Sequence, residues 1–328
     1  MQAILLSGGF GTRMRPLTYT TPKPLLPLLN KPLIQHIIDS LPDEVDEVVL
    51  AANYKIEMLR RYFEDIELDR EVIVKDEPEP RGTAGAVKNV KEHIDDTFFV
   101  VNSDIISSLD FKNFLDFYES KRDGIGAISA WRVEDPREFG VMDLDDNCRI
   151  KRFQEKPSLE EAASNKINAG HYILEPEVLD RIPEGEKVSI EREIFPELVK
   201  DGLFGYEFEG YWIDCGRPSS LFEAQRTLLE ERKTEKLVGE RSSVERKLDK
   251  YVTIGDNCKI GKSDLSDSII FDGVEIGDHC SIEKSILGYD VIVEDDVTIK
   301  DSIISDGLNL EEGTEVRDEK LKPEEEDT

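Results

Sequence analysis

Cysteine is scarce and scattered in this chain: Cys148, Cys215, Cys258 and Cys280 are the only four in 328 residues, with no Cys-x-x-Cys among them. That spacing excludes a zinc ribbon and offers no disulfide framework, so the four read as small buried residues. Long apolar runs are also missing. No stretch approaches the roughly 20 residues that span a bilayer. The opening Met1-Gln2-Ala3-Ile4-Leu5-Leu6 has no basic segment before it meets a glycine cluster, so it reads as a first strand and not a signal peptide. A cytoplasmic protein that does not associate with membranes is expected. Basic residues are in deficit as well: 42 Lys and Arg against 72 Asp and Glu leave a net charge of -30. This excludes whole-molecule attraction to nucleic acid or anionic lipid, and any phosphate ligand must meet a local basic site.

What is present is enough chain for two domains. Over the first 230 residues, short β-branched runs alternate with amphipathic helical stretches such as Ile56-Leu59-Tyr62-Phe63. The strand candidates are Ala3 to Leu6, Val48 to Ala52, Val72 to Val74, Phe98 to Val101 and Ile125 to Trp131. Such alternation predicts an α/β, Rossmann-like domain with a mainly parallel sheet, whose ligands sit at the carboxyl ends of the strands. Three motifs fall there: Ser7 to Arg13, Asn102 to Asp104, and Asp214 after Tyr211-Trp212-Ile213.

A charged helical stretch from Ser219 to about Lys236 precedes a polar run, Gly239 to Lys250, and the texture then changes. Val274-Glu275-Ile276-Gly277-Asp278 recurs 17 residues later as Val291-Ile292-Val293-Glu294-Asp295 and again as Leu308-Asn309-Leu310-Glu311-Glu312. An earlier copy, Val252-Thr253-Ile254-Gly255-Asp256, lies 22 residues before the first of these, as if one coil carried an insertion. Recurring single β-branched residues predict a parallel β-helix, with a meander sandwich as the alternative. The expected organisation is a catalytic domain at 1–230, a linker at 231–250, the β-helix at 251–316 and a frayed acidic tail at 317–328.

The segment Leu6-Ser7-Gly8-Gly9-Phe10-Gly11-Thr12-Arg13-Met14 follows a strand and is rich in glycine, so backbone amides can close around a phosphate. It fits neither known phosphate loop. Met14 stands where a dinucleotide fingerprint needs its third glycine, and no Gly-Lys-Ser/Thr occurs. The turn instead delivers Arg13, whose guanidinium suits bidentate phosphate contact. Ten residues on, Pro22-Lys23-Pro24 holds a lysine in a stiffened backbone.

Gly8 to Thr18, with Pro22-Lys23-Pro24-Leu25-Leu26-Pro27, resembles the signature of the sugar-1-phosphate nucleotidylyltransferases. The resemblance continues through Glu79-Pro80-Arg81-Gly82-Thr83-Ala84-Gly85, Val101-Asn102-Ser103-Asp104, Phe139-Gly140-Val141, Glu155-Lys156-Pro157, Asn165 to Gly170 and Gly210 to Gly216. It covers the whole N-terminal domain, and the repeats match the left-handed β-helix that many members carry. The resemblance implies that Arg13 and Lys23 hold the triphosphate and that Asp104 and Asp214 bind Mg²⁺, which takes few protein ligands. By the same resemblance Leu6, Ser7, Gly8, Gly9, Gly11, Thr12, Gly82 and Thr83 would complete the nucleotide site. On the same resemblance Lys156 would meet the sugar phosphate and Glu155 the sugar hydroxyls, with Gly140, Asn168 and Gly170 closing that pocket.

Within the family, Gly82-Thr83-Ala84-Gly85, Val101 to Asp104 and Ser189-Ile190-Glu191-Arg192-Glu193-Ile194-Phe195-Pro196 are most similar to members that join GTP to mannose 1-phosphate, the mannose-1-phosphate guanylyltransferases. A glucose-1-phosphate thymidylyl- or uridylyltransferase is the alternative. A non-catalytic regulatory subunit would have lost one of Arg13, Lys23, Asp104, Lys156 or Asp214, and all five are present. An acetyltransferase would want a histidine base, and the repeats hold only His279. The β-helix is therefore expected to serve packing between subunits of a homo-oligomer, or effector binding.

Overall fold

The computed structural model describes residues 1–77, 79–121 and 123–323. The chain divides into two compact units. The first comprises Met1–Gly9 and His36–Trp212, and the second comprises Phe10–Gln35 and the chain from Ile213 onward.

The first unit is built on a nine-stranded sheet. Its strands are β1 (Gln2–Ser7), β2 (Glu47–Ala52), β3 (Glu71–Asp76), β4 (Phe98–Asn102), β5 (Gly126–Arg132), β6 (Gly140–Leu144), β7 (Ile150–Glu155), β8 (Lys166–Leu174) and β9 (Leu203–Glu207). The order runs β7-β6-β8-β4-β1-β2-β3, with β5 between β8 and β9. β1 has parallel neighbours on both sides, β2 and β4, and β3 extends the parallel half. Strands buried on both faces need apolar residues throughout, which is why Ala3-Ile4-Leu5, Val48-Val49-Leu50-Ala51-Ala52 and Phe98-Phe99-Val100-Val101 do not alternate. The chain steps from β1 to β2 to β3 in one direction and then returns to place β4 on the other side of β1, so a switch point lies between β1 and β4.

The helices follow from caps and periodicity. Helix α1 (Ile56–Asp65) covers the span its apolar spacing predicts, and α2 (Gly82–Lys88) follows β3. Helix α3 (Phe111–Glu119) starts where the Asp110 carboxylate accepts the Asn113 amide at 2.9 Å, and it buries Phe111, Phe114, Leu115 and Tyr118. Beyond β4 the sheet continues through β8, which pairs antiparallel with β4, β5 and β6. The register of β8 against β5 shifts between Asn168 and Tyr172.

In the second unit, α4 (Pro218–Glu231) leads into three parallel sheets, the architecture of the expected left-handed β-helix. One side of the coil stacks Lys236–Val238, Val252–Ile254, Ile269–Ile270, Ile286–Leu287, Ile303–Ile304 and Lys320–Leu321. The second side stacks Ser243–Val244, Lys259–Ile260, Glu275–Ile276, Ile292–Val293 and Asn309–Leu310, and the third runs from Asp264–Ser266 to Glu315–Arg317. The inward aliphatics form one continuous core from Leu248 to Val316.

Three sequence expectations are adjusted by this register. Val252–Ile254 and Glu275–Ile276 belong to different sides of the coil, so their offset is one coil plus one side and no insertion is present. The stretch expected as a linker, 231–250, already carries Lys236–Val238 paired with Val252–Ile254, and Ser243–Val244 paired with Lys259–Ile260. In the expected tail, 317–328, Lys320–Leu321 still pairs with Ile303–Ile304; residues 324–328 lie outside the described part.

Three buried serines inside the coil are satisfied in a ladder, whereas the buried Ser305 hydroxyl has no hydrogen-bond partner. The buried Ser268, Ser285 and Ser302 hydroxyls donate to carbonyls two residues back at 2.7 to 2.8 Å and accept amides one coil on. Gln225 of α4 is fully buried; its amide donates to the Tyr251 carbonyl at 2.8 Å and accepts the Thr253 hydroxyl at 2.5 Å.

Candidate active site

Strand register brings a set of side chains to one edge of the first unit. Ser7 lies opposite Ala52, Ala52 opposite Asp76, and Leu6 opposite Asn102. The residues that follow, Gly8, Asn53, Glu77 and Asp104, therefore emerge together at the carboxyl ends of four parallel strands. A cavity of about 330 Å³ opens there, lined among others by Leu6, Gly8, Gly9, Glu77, Gly82, Thr83, Asn102, Asp104 and Lys187. Ser103 ties the turn bearing Asp104 to β1, since its amide and hydroxyl both donate to the Leu6 carbonyl, at 3.2 and 2.7 Å.

Glu77 is the most deeply placed ionisable group in this wall, only 3% exposed. Its Oε1 accepts the Arg81 amide at 2.8 Å, and its Oε2 lies 3.1 Å from where a side chain on Gly8 would begin. Burial pushes its carboxyl above the ordinary range, against the opposing pull of the Arg81 amide and guanidinium. Asn53 flanks the same point, with its Nδ2 3.7 Å from the Gly8 position, and neither its amide nitrogen nor its oxygen has a hydrogen-bond partner. The buried Ser7 hydroxyl is likewise unpartnered.

Gly82 and Thr83 line the cavity, but the need for glycine at 82 comes from the fold. Its φ is +74°, and a Cβ there would strike the Val188 carbonyl. That carbonyl also accepts the Ala84 amide at 3.0 Å, and the Val188 amide returns to the Arg81 carbonyl at 2.8 Å. Thr83 completes the clamp: its hydroxyl donates to Glu191 at 2.7 Å and accepts the Ile190 amide at 2.9 Å. The segment that brings Lys187 to the cavity is thus fastened to α2.

The residues expected around the sugar also gather in the first unit. Gly170, with φ +81°, sits in the irregular stretch of β8, where its amide donates to the Asn168 side chain at 2.9 Å. Asn168 in turn donates to the buried Tyr172 hydroxyl at 3.0 Å. A side chain at Gly140 would begin 2.6 Å from the Phe153 ring and 3.1 Å from Glu155 Oε2, so that glycine is needed by packing inside the protein. Burial and the neighbouring Glu191 raise the Glu155 carboxyl, while Lys156 and Arg192 lower it. Lys156 is exposed, at φ +48°, with its amide on the Phe139 carbonyl at 3.0 Å.

Gly11, Thr12, Arg13, Lys23 and Asp214 belong to the second unit. Thr12–Met14 forms one tight turn and Lys23–Leu25 another, and the Thr18 hydroxyl donates to the Gly11 carbonyl at 2.8 Å. Lys23 is 92% buried. Asp214 accepts the Gly216 amide at 2.8 Å, and Arg13 brings its guanidinium to within 2.6 Å of where a Gly216 side chain would start. Of the expected metal ligands, Asp104 belongs to the first unit and Asp214 to the second. Among the described residues no three His, Cys, Asp or Glu side chains gather into a cage for a metal ion.

Glu77, Asn53 and Lys187 were not picked out by the sequence motifs. Glu77 and Asn53 directly follow strands that the sequence predicts, so the carboxyl-end rule reaches them; Lys187 lies in a loop with no comparable signal.

Residues 2–231 match the nucleotidyl transferase family, and residues 234–326 match the GMPPB C-terminal domain. A mannose-1-phosphate guanylyltransferase of Arabidopsis thaliana is 36% identical, covering 99% of both chains. One from Aspergillus oryzae is 43% identical over 67% of this chain and 62% of its own. Among solved structures, HddC from Yersinia pseudotuberculosis, complexed with GMP-PN, matches with a TM-score of 0.56 at 28% identity, covering 68% of this chain and 97% of that one. No helix among the described residues is long and apolar enough to cross a membrane.

Proposed function

The chain belongs to the nucleotidyl transferase family, and from that premise we propose that it transfers a guanylyl group from GTP to mannose 1-phosphate, forming GDP-mannose and pyrophosphate. The observation that carries the choice of nucleotide is Glu77. A carboxylate only accepts hydrogen bonds, and guanine presents two adjacent donors, N1–H and the exocyclic amine, on one edge. Uracil and thymine present a single donor flanked by acceptors, and adenine and cytosine an amine beside an acceptor. A buried carboxylate in the cavity wall therefore favours guanine.

The reaction needs no dedicated base, because a sugar 1-phosphate is already ionised at neutral pH. Its oxygen attacks the α-phosphorus in line and pyrophosphate leaves. The obstacle is the approach of two polyanions, which local cations and positioning overcome. Arg13 and Lys23 hold the triphosphate, Lys156 the sugar phosphate, and Glu155 and Asn168 the sugar hydroxyls. Asp104 and Asp214 are the carboxylates that would hold a divalent cation, which we take to be Mg²⁺, supplying charge neutralisation at the phosphates; two protein oxygens suit an ion that keeps waters and phosphate oxygens. A homo-oligomer formed through the β-helix is in keeping with Val238 and Ile292 standing exposed on its sides, and we place the protein in the cytoplasm.

The test is nucleotide choice in Glu77→Gln. The amide keeps the shape but turns one acceptor into a donor, so kcat/KM with GTP is expected to fall about 10- to 100-fold while KM for mannose 1-phosphate holds. An unchanged preference for GTP would remove Glu77 from base recognition.

A further inference from the structure

The segment that carries Arg13 and Lys23 is grouped with the β-helix coils in the second compact unit, and two side chains tie it to them. Asn30 donates to the Ile254 carbonyl at 2.6 Å. Thr20 donates to Asp306 Oδ2 at 2.5 Å, across 286 residues of chain. The other oxygen of Asp306 accepts the Tyr289 amide at 2.9 Å, so one carboxylate joins a coil corner to the short helix Leu17–Thr20. On the far side of that helix, Thr18 holds the Gly11 carbonyl at 2.8 Å, and three residues after Thr20 the backbone turns through Lys23–Leu25. The coil thus holds Thr20, which lies between Arg13 and Lys23 in the chain, and Asn30, seven residues beyond Lys23.

We propose that Asp306 is a positioning residue for nucleotide binding: through Thr20, the β-helix sets the conformation of the loop that presents Arg13 and Lys23. A hydrogen bond to a charged, part-buried acceptor is among the stronger kind, and its loss frees a loop whose cations must converge on one polyanion. This rests on the reading of Arg13 and Lys23 as triphosphate ligands. Sequence distance hid the link, since nothing near Thr20 or Asp306 signals a shared partner.

The experiment compares Thr20→Val, Thr20→Ser and Asp306→Ala in the full-length chain. Readouts are KM for GTP and for mannose 1-phosphate, inorganic tripolyphosphate affinity by calorimetry, and hydrogen exchange at the amides of Met14, Leu25 and Leu26, which donate within the loop. We expect Thr20→Val and Asp306→Ala to raise KM for GTP and weaken tripolyphosphate about tenfold, speed loop exchange and leave KM for mannose 1-phosphate unchanged, with Thr20→Ser like wild type. Equal tripolyphosphate affinity in Thr20→Val and Thr20→Ser, or a parallel rise in both KM values, would overturn the positioning role. Absence of guanylyl transfer by the wild type strikes instead at the functional reading, and the tripolyphosphate and exchange readouts then still decide the link.

Discussion

Glu77 sits between opposed forces, burial favouring its neutral form and the Arg81 amide and guanidinium favouring the carboxylate, with burial the stronger. The guanine recognition proposed for Glu77 needs the carboxylate. Because the carboxyl is raised, we predict that KM for GTP increases as pH falls through a value above the ordinary glutamate range, and that this limb is missing from the pH profile of Glu77→Gln. The two aspartates carry a different expectation. Asp104→Asn and Asp214→Asn each lose an anionic oxygen, and each is expected to remove most turnover, at least about 100-fold, with an unaltered circular dichroism spectrum; near-normal turnover in either would end the metal assignment. At this scale the sequence singles out residues inside a glycine-rich or Lys-Pro signature, such as Arg13 and Lys23. Glu77 and Asn53 lack any such neighbours and become visible only when strand register sets them beside Gly8.

At the scale of elements, β8 carries both the bulge at Gly170 and, next to it, the fully buried His171. The His171 ring has Ser129 at 2.9 Å and Ser107 at 3.4 Å, with Phe111 and Phe208 edge-on. Burial holds its pKa down at about 3, against 6.5 ordinarily. The folded protein therefore keeps the neutral ring while the unfolded chain takes up a proton below pH 6.5, so stability from this group is complete above 6.5 and is lost as pH falls from there toward 3. We predict a loss of about 2 kcal/mol between pH 6.5 and pH 5 in urea unfolding, absent from the slope of His171→Gln. The parallel strands were legible because burial on both faces demands unbroken apolar runs. The β8 bulge was not, since it depends on pairing with β5. The coil period was legible too, but not which side each copy occupied. Val252-Thr253-Ile254-Gly255-Asp256 and Val274-Glu275-Ile276-Gly277-Asp278 look alike because each side of a coil makes the same demand: an inward aliphatic, then a tight corner.

For the whole molecule, a net charge of -30 means that a polyanionic substrate pair has to meet local cations, the role proposed for Arg13, Lys23 and Lys156. The chain leaves the first compact unit after Gly9 and re-enters it at His36, so the basic loop is grouped with the C-terminal coils, an arrangement no local pattern in the sequence discloses. Guanylyl transfer is tested most directly by pyrophosphate release, with Mg²⁺ present and each of GTP, dTTP, UTP, ATP and CTP paired with mannose 1-phosphate and with glucose 1-phosphate. We predict rapid release with GTP and mannose 1-phosphate and at least about tenfold lower kcat/KM for every other pair. Preference for dTTP or UTP with glucose 1-phosphate, or no release with any pair, would contradict it.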